Sequence, residues 1–120
     1  MREIYLSSSA IPAETAPDGW AYVYVAAKAG FGPIKIGVAI NVRRRITDLE
    51  NANGQRFPLV WMSGAYQNFR EIEGSAHSCL RPARLIGEWF DVDFDFAIRV
   101  VQDIAAGRKR SRTALSGRAA

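Results

Sequence analysis

The chain has 120 residues, 48% of them hydrophobic and 23% charged, which suits one folded domain with one core and excludes a chain too polar to collapse. No run approaches the roughly 20 apolar residues of a membrane-spanning helix, no apolar block of signal-peptide length opens the chain, and one cysteine, Cys79, can build neither a disulfide framework nor a cysteine-based zinc site; a reduced, cytoplasmic protein without membrane contact is expected. The net charge of +4 points to a polyanionic partner, yet five of the 16 basic residues fall in residues 107–120 with no acid among them, so residues 1–106 are close to neutral, with 11 basic against 12 acidic groups.

Residues 6–19 hold three serines, two prolines and the pair Asp18-Gly19, and residues 1–19 read as a lead-in segment or loop rather than core structure. Trp20–Ala27 is β-rich, Pro33–Val38 is a second such run after a connection containing Gly30 and Gly32, and the two predict a hairpin. Asn41 can cap a helix reaching about Ala52, which Asn53-Gly54 ends. Phe57–Ala65 predicts a third strand, Asn68–Leu80 a helix closed by Pro82, Glu88–Val92 a short strand, and Phe94–Ala106 a last helix capped by Asp93. The order β-β-α-β-α-(β)-α predicts an α+β domain, a small and partly antiparallel sheet flanked by helices over residues 20–106. Beyond it, the basic segment with Arg108, Lys109 and Arg110 reads as a disordered tail that either holds nucleic acid through its phosphates or serves only solubility.

Two residues break the helical patterns. Val42, Ile46 and Leu49 form the apolar stripe of the first helix; Arg44 points away from it and Arg43 lies to one flank, but Arg45 borders Val42 and Leu49. Either its stem packs while the guanidinium reaches solvent, or it serves a site. In the next helix Phe69, Ile72, Ala76 and Leu80 make the apolar face, and Glu73 falls inside it with His77 one turn on. A carboxylate there needs a cation, donors or a metal ion. Arg45 and Arg84 are the candidate ion-pair partners, and a glutamate and histidine at i, i+4 supply two metal ligands at most.

Taken together, Tyr22-Val-Tyr24, Lys35-Ile-Gly37, Arg45 eight residues later, and Glu73-xxx-His77-xx-Leu80-xxx-Arg84-xx-Gly87-Glu88-Trp89-Phe90 resemble the GIY-YIG endonuclease superfamily, in its short phage and prophage branch, across about residues 20–92. Tyr22 stands where a glycine normally opens the first tripeptide, Lys35 stands where the namesake has tyrosine, and no residue can be matched to the asparagine that closes the site in many relatives. The resemblance implies metal-dependent hydrolysis of DNA phosphodiester bonds. It implies that Glu73 holds Mg²⁺ or Mn²⁺, that Arg45 neutralises the non-bridging oxygens, and that Tyr24 is the general base, helped towards phenolate by a Lys35 that could equally bind phosphate. His77 either relays a proton or hydrogen-bonds the scissile phosphate, or it is a packed histidine. Arg43, Arg44, Arg84 and the basic tail would touch DNA, with Arg84 and Glu88-Trp89-Phe90 mainly structural and Glu88 paired with an arginine. Tyr24, Lys35, Arg45 and Glu73 should then converge on one face of the sheet, their tips within about 10 Å of a common point, and a Glu73 on the face opposite Tyr24 would remove the nuclease reading. The alternative is a degenerate domain that binds DNA or a protein, or self-associates, without cutting.

Because residues beyond Gly107 offer no apolar periodicity, a truncation there should fold normally and flatten the slope of DNA affinity against salt. Equal slopes for the two lengths would remove any role of Arg108, Lys109 and Arg110 in holding DNA.

Overall fold

The structure, a computed structural model, describes residues 4–28 and 33–107. These form β1 (Ile4–Tyr5), β2 (Ala21–Ala27), β3 (Pro33–Ala39), α1 (Val42–Asn53), β4 (Leu59–Tyr66), α2 (Phe69–Cys79), β5 (Trp89–Asp91) and α3 (Phe94–Ala105). The five strands make one sheet in the order β1-β4-β2-β3-β5 with every neighbouring pair antiparallel. The fold is α+β, and the partly antiparallel sheet of the sequence reading is antiparallel throughout its described strands. The glycine-containing connection and the basic tail lie outside the described residues.

Strand β2 carries no polar group on either face except the two tyrosine hydroxyls, and all seven of its residues are buried. Period-2 alternation sends its side chains to two cores. Val23, Val25 and Ala27 meet Ile34 and Ile36 of β3 beneath α2 and α3, where Ile72, Ala76, Ala97, Ile98 and Val101 close the layer. Tyr22, Tyr24 and Ala26 face the other way, against Val42 and Ile46 of α1 together with Phe57, Val60 and Met62. The sheet is thus covered on both faces, α1 on one and α2 with α3 on the other.

Local chemistry fixes the ends. Asn41 Oδ1 accepts from the Arg44 amide at 3.1 Å, and Gly54 terminates α1 in the left-handed region at φ +64°. Asp93 stands at the start of α3 without a side-chain cap bond. Glu50, on the inner side of α1, is buried and accepts from the Phe57 amide at 2.8 Å, tying the helix to the approach of β4. Between Tyr22 and Tyr24 the β2–β4 register shifts, with Ser63 and Gly64 opposing Val23 alone. The Val23 amide that the bulge leaves without a ladder partner donates to Ser63 Oγ at 2.9 Å.

One expectation is corrected. The segment read as a lead-in is built into the molecule: Ile4–Tyr5 pairs with Trp61 and Val60 as an edge strand, the Ala16 amide donates to Ile40 O at 2.8 Å, and Ile11 and Ala16 are buried in the core beneath α1. Its prolines and serines marked turns correctly, but two isolated apolar residues have no period by which a single sequence reveals burial.

Ile11→Ala should therefore cost about 2 to 4 kcal/mol in urea denaturation, as a buried isoleucine does, because the side chain is only 1% exposed. Leu6→Ala, at a side chain 70% exposed, should leave the midpoint unchanged.

Candidate functional site at the free edge of strand β3

Strand β5 is shorter than its neighbour and pairs only with Pro33, Ile34 and Lys35. Beyond it, residues 36–39 of β3 have no strand on their outer side among the described residues, and the polar groups gather at this open stretch. Across the hairpin Tyr24 pairs with Gly37, and its ring lies directly over that glycine: a Cβ on Gly37 would stand 2.5 Å from Tyr24 Oη and 2.7 Å from Cζ. Only glycine leaves room for the phenol to lie flat across β3 and bring its hydroxyl to the edge.

There the hydroxyl meets Arg45 from α1, whose side chain is otherwise exposed to solvent. Burial pushes the Tyr24 hydroxyl above the ordinary phenol range; the hydrogen bond and charge of Arg45 pull it back without cancelling that effect. The same hydrogen bond, together with the charge of Tyr24, strengthens the hold of Arg45 on its proton. Arg45 is thus the cation acting on Tyr24, and Lys35 has a different partner. Lys35 Nζ donates to Glu88 Oε1 at 2.7 Å, where the sequence reading paired Glu88 with an arginine. Burial alone would raise the Glu88 carboxyl, but Lys35, with help from His77 and Arg45, takes it below the ordinary carboxylate range.

The expectation that four residues share one face is also corrected. Helix α2 packs through Ile72 and Ala76 on the face opposite Tyr24, Lys35 and α1. With a continuous sheet this would separate Glu73 from Tyr24. The free edge removes the barrier, because α2 borders it: His77 Nε2 donates to Ile36 O at 2.9 Å, capping a carbonyl of β3. Glu73, one turn earlier and half-buried, is close enough that its charge acts on Tyr24 and is itself acted on by Lys35 and Glu88. The residues therefore gather around an edge from both faces.

Glu73 makes neither an ion pair nor a hydrogen bond among the described residues, and the bridges to Arg45 or Arg84 considered from sequence are not formed. Burial raises its carboxyl above the ordinary range; His77, Arg70 and Lys35 lower it, and Glu88 adds to the rise. Among the described residues no group of three or more histidines, cysteines or acids is arranged to hold a metal ion. A hard divalent cation that keeps most of its waters needs only one or two carboxylates plus substrate phosphate, and the unpartnered Glu73 fits that donor set.

His77 is both packed and positioned: its ring lies 5.2 Å from that of Phe90, and with the Nε2 proton committed to Ile36 O, Nδ1 is its remaining acceptor. It lines an open basin of about 410 Å³ with Gly74, Arg81, Arg84 and Glu88. On the α1 side a second basin of about 570 Å³ is lined by Val38, Asn41, Arg44, Arg45 and Asp48. Arg84 Nε donates to Gly87 O at 2.8 Å, and Arg84 also borders the first basin. Arg43 is half-buried on α1, and Arg108, Lys109 and Arg110 lie outside the described residues.

A family model described as the T5orf172 domain matches residues 19–105, a span that contains every one of these described site residues. The chain belongs to the T5orf172 domain family. This is a phage-associated domain of the endonuclease type, which makes the chain a nuclease-like or DNA-binding domain. No curated protein and no solved structure matches the chain. No helix among the described residues of this T5orf172 domain is long and apolar enough to cross a membrane.

Two features of the T5orf172 domain escaped the sequence reading. Arg81 lines the basin with Arg84, and their three-residue separation beside Pro82 was the available signal. The Lys35–Glu88 pair had none, since it depends on β3 pairing with β5 across 53 residues of chain. Trp89 is half-buried and stacks on Phe57 at 5.9 Å with Lys28 5.4 Å above its ring.

Gly37→Ala should cost about 1 to 3 kcal/mol by overpacking against Tyr24, and the cost should nearly vanish in a Tyr24→Ala background. A urea double-mutant cycle checks this. Additive effects would mean that Tyr24 is not what requires the glycine.

Proposed function

We propose that this T5orf172 domain is a metal-dependent endonuclease or nickase that hydrolyses phosphodiester bonds in DNA, as the GIY-YIG resemblance implies. The observation that carries the reading is the meeting of the Tyr24–Arg45 pair with an unpartnered, half-buried Glu73 at the free edge of β3. A half-buried carboxylate without an ion-pair or hydrogen-bond partner is complementary to a cation, and perturbed carboxyls of this kind cluster at functional sites.

Each requirement of the reaction has a residue. The exposed guanidinium of Arg45, steadied at one end by Tyr24, offers its remaining N–H groups to the non-bridging oxygens, and Arg44 and Arg84 border the basins on either side where flanking phosphates would lie. Tyr24 Oη takes the proton of the attacking water once it has lost its own; burial makes its phenolate scarce and strongly basic, and Arg45 increases the share present. His77 Nδ1 can accept a proton beside it, while the Nε2 bond to Ile36 O fixes the ring. Glu73 would hold Mg²⁺ or Mn²⁺, which when bound relieves charge on the leaving oxygen. Lys35, neutralised by Glu88, serves chiefly to shape the edge and to keep Glu88 ionised.

One observation favours the second reading, a domain that binds DNA without cutting it. The Tyr24 hydroxyl is held above its ordinary range, so little phenolate is present near neutrality.

The test is a plasmid-nicking assay with and without Mg²⁺ or Mn²⁺, run beside melting curves. Glu73→Gln should abolish nicking and leave the melting temperature equal or slightly higher, since no partner is stranded; Arg44→Gln should still cut. Loss of roughly 3 to 5 kcal/mol in Glu73→Gln, from a parent that never nicks in either metal, would leave a binding module.

The pH dependence has a definite sign. Glu73 and Tyr24 must both be deprotonated and both are held above their ordinary values, while Arg45 is held protonated. Nicking should therefore climb from neutral into alkaline pH with no fall due to Arg45, and Tyr24→Phe should lose the climb. A maximum on the acid side of neutrality would overturn this assignment.

A further inference from the structure

We propose that the turn carrying Leu85 and Ile86 is a wedge that inserts between stacked bases of a DNA duplex lying across the site, an inference that rests on the nuclease reading. Leu85 is 54% exposed and Ile86 77%, two large branched side chains in succession on a tight turn where polar residues are the rule. Single exposed aliphatics are ordinary; an adjacent pair held out by a stiff backbone is not.

The turn is stiff for identifiable reasons. The Leu85 amide donates to Trp89 O at 2.9 Å and the Trp89 amide returns to Ile86 O at 3.0 Å. Arg84 Nε donates to Gly87 O at 2.8 Å, and Gly87 takes φ +60°, a value that suits glycine. Arg84 also bridges Phe90, the buried middle residue of β5. The backbone that presents the two side chains is therefore set before any partner arrives, so little main-chain freedom is lost when they are covered.

Charge complementarity selects the occupant. The residue before Leu85 and the residue after Ile86 both border the basin that holds Arg81, Arg84 and His77, and Glu88, the acid there, is neutralised by Lys35. An apolar pair rising beside arginines matches a base step flanked by its phosphates: aliphatic wedges part the bases while cations hold the backbone. The unstacking would loosen the duplex beside the Tyr24–Arg45 pair and bend the scissile strand towards the edge of β3. An uncharged protein surface would bury the aliphatics but leave the arginines without anions.

The experiment uses the full chain in EDTA, so that no strand is cut, and a short duplex with 2-aminopurine, a base whose fluorescence rises on unstacking, at its centre. Wild type should bind and raise the fluorescence. Leu85→Ser/Ile86→Ser should abolish the rise and weaken binding by about tenfold, with the salt slope unchanged because phosphate contacts remain. Ile86→Phe should keep the rise, and the exposed positions should leave the melting temperature of each variant near that of wild type.

A serine variant that retains both signal and affinity, or a wild type that binds without unstacking, would overturn the wedge alone. A wild-type dimer that the serine variant converts to monomer, with DNA signals unaltered, would overturn it in favour of self-association. A wild type that binds no duplex, either in EDTA or with Ca²⁺ in its place, would remove the nuclease reading and the wedge together.

Discussion

The packing of Tyr24 across Gly37 is the constraint on which the rest of the site depends. A phenol on a central strand would ordinarily end in the core; here a missing Cβ on the paired strand lets the ring lie over β3 and deliver its hydroxyl to the border. The β4 bulge opposite Val23 contributes by shifting register between Tyr22 and Tyr24, and Ser63 supplies the acceptor that the interrupted ladder lacks. Any residue other than glycine at position 37 would push the ring away and separate the hydroxyl from Arg45.

The second element is an edge left open on purpose by length. Because β5 stops opposite Lys35, the outer side of residues 36–39 is reached by side chains from both layers of helices: Arg45 from α1, and Glu73 and His77 from α2. Exposed edges usually invite pairing with another chain. Here His77 covers one carbonyl and the charged groups discourage a sixth strand. The same opening gives a substrate access from either basin without passing through the core.

The electrostatics divide into a settled and an unsettled half. Lys35 and Glu88 compensate each other at 2.7 Å, with the lysine side chain 12% and the glutamate 45% exposed. Glu73 and Tyr24, by contrast, are pushed by burial towards their neutral forms, opposed by Arg45 at Tyr24 and by His77, Arg70 and Lys35 at Glu73. Groups left out of balance while their neighbours are paired are where a cation or a phosphate gains most on arrival. Membership of the T5orf172 domain family gives that imbalance an endonuclease context.

What the sequence by itself determined were the features written locally: strands from β-rich runs, α1 between Asn41 and Gly54, the amphipathic faces, and Arg45 and Glu73 as polar intruders on them. Spacing and periodicity act within one element, so they are readable without the others. Only the tertiary structure decided that Ile11 and Ala16 are core, that Lys35 belongs to Glu88 and not to Tyr24, and that Arg45 and Glu73 approach from opposite faces. Each of these depends on which strands pair and where β5 ends. A helical wheel gives direction around its own axis and carries no information about the face of the sheet on which that axis is laid.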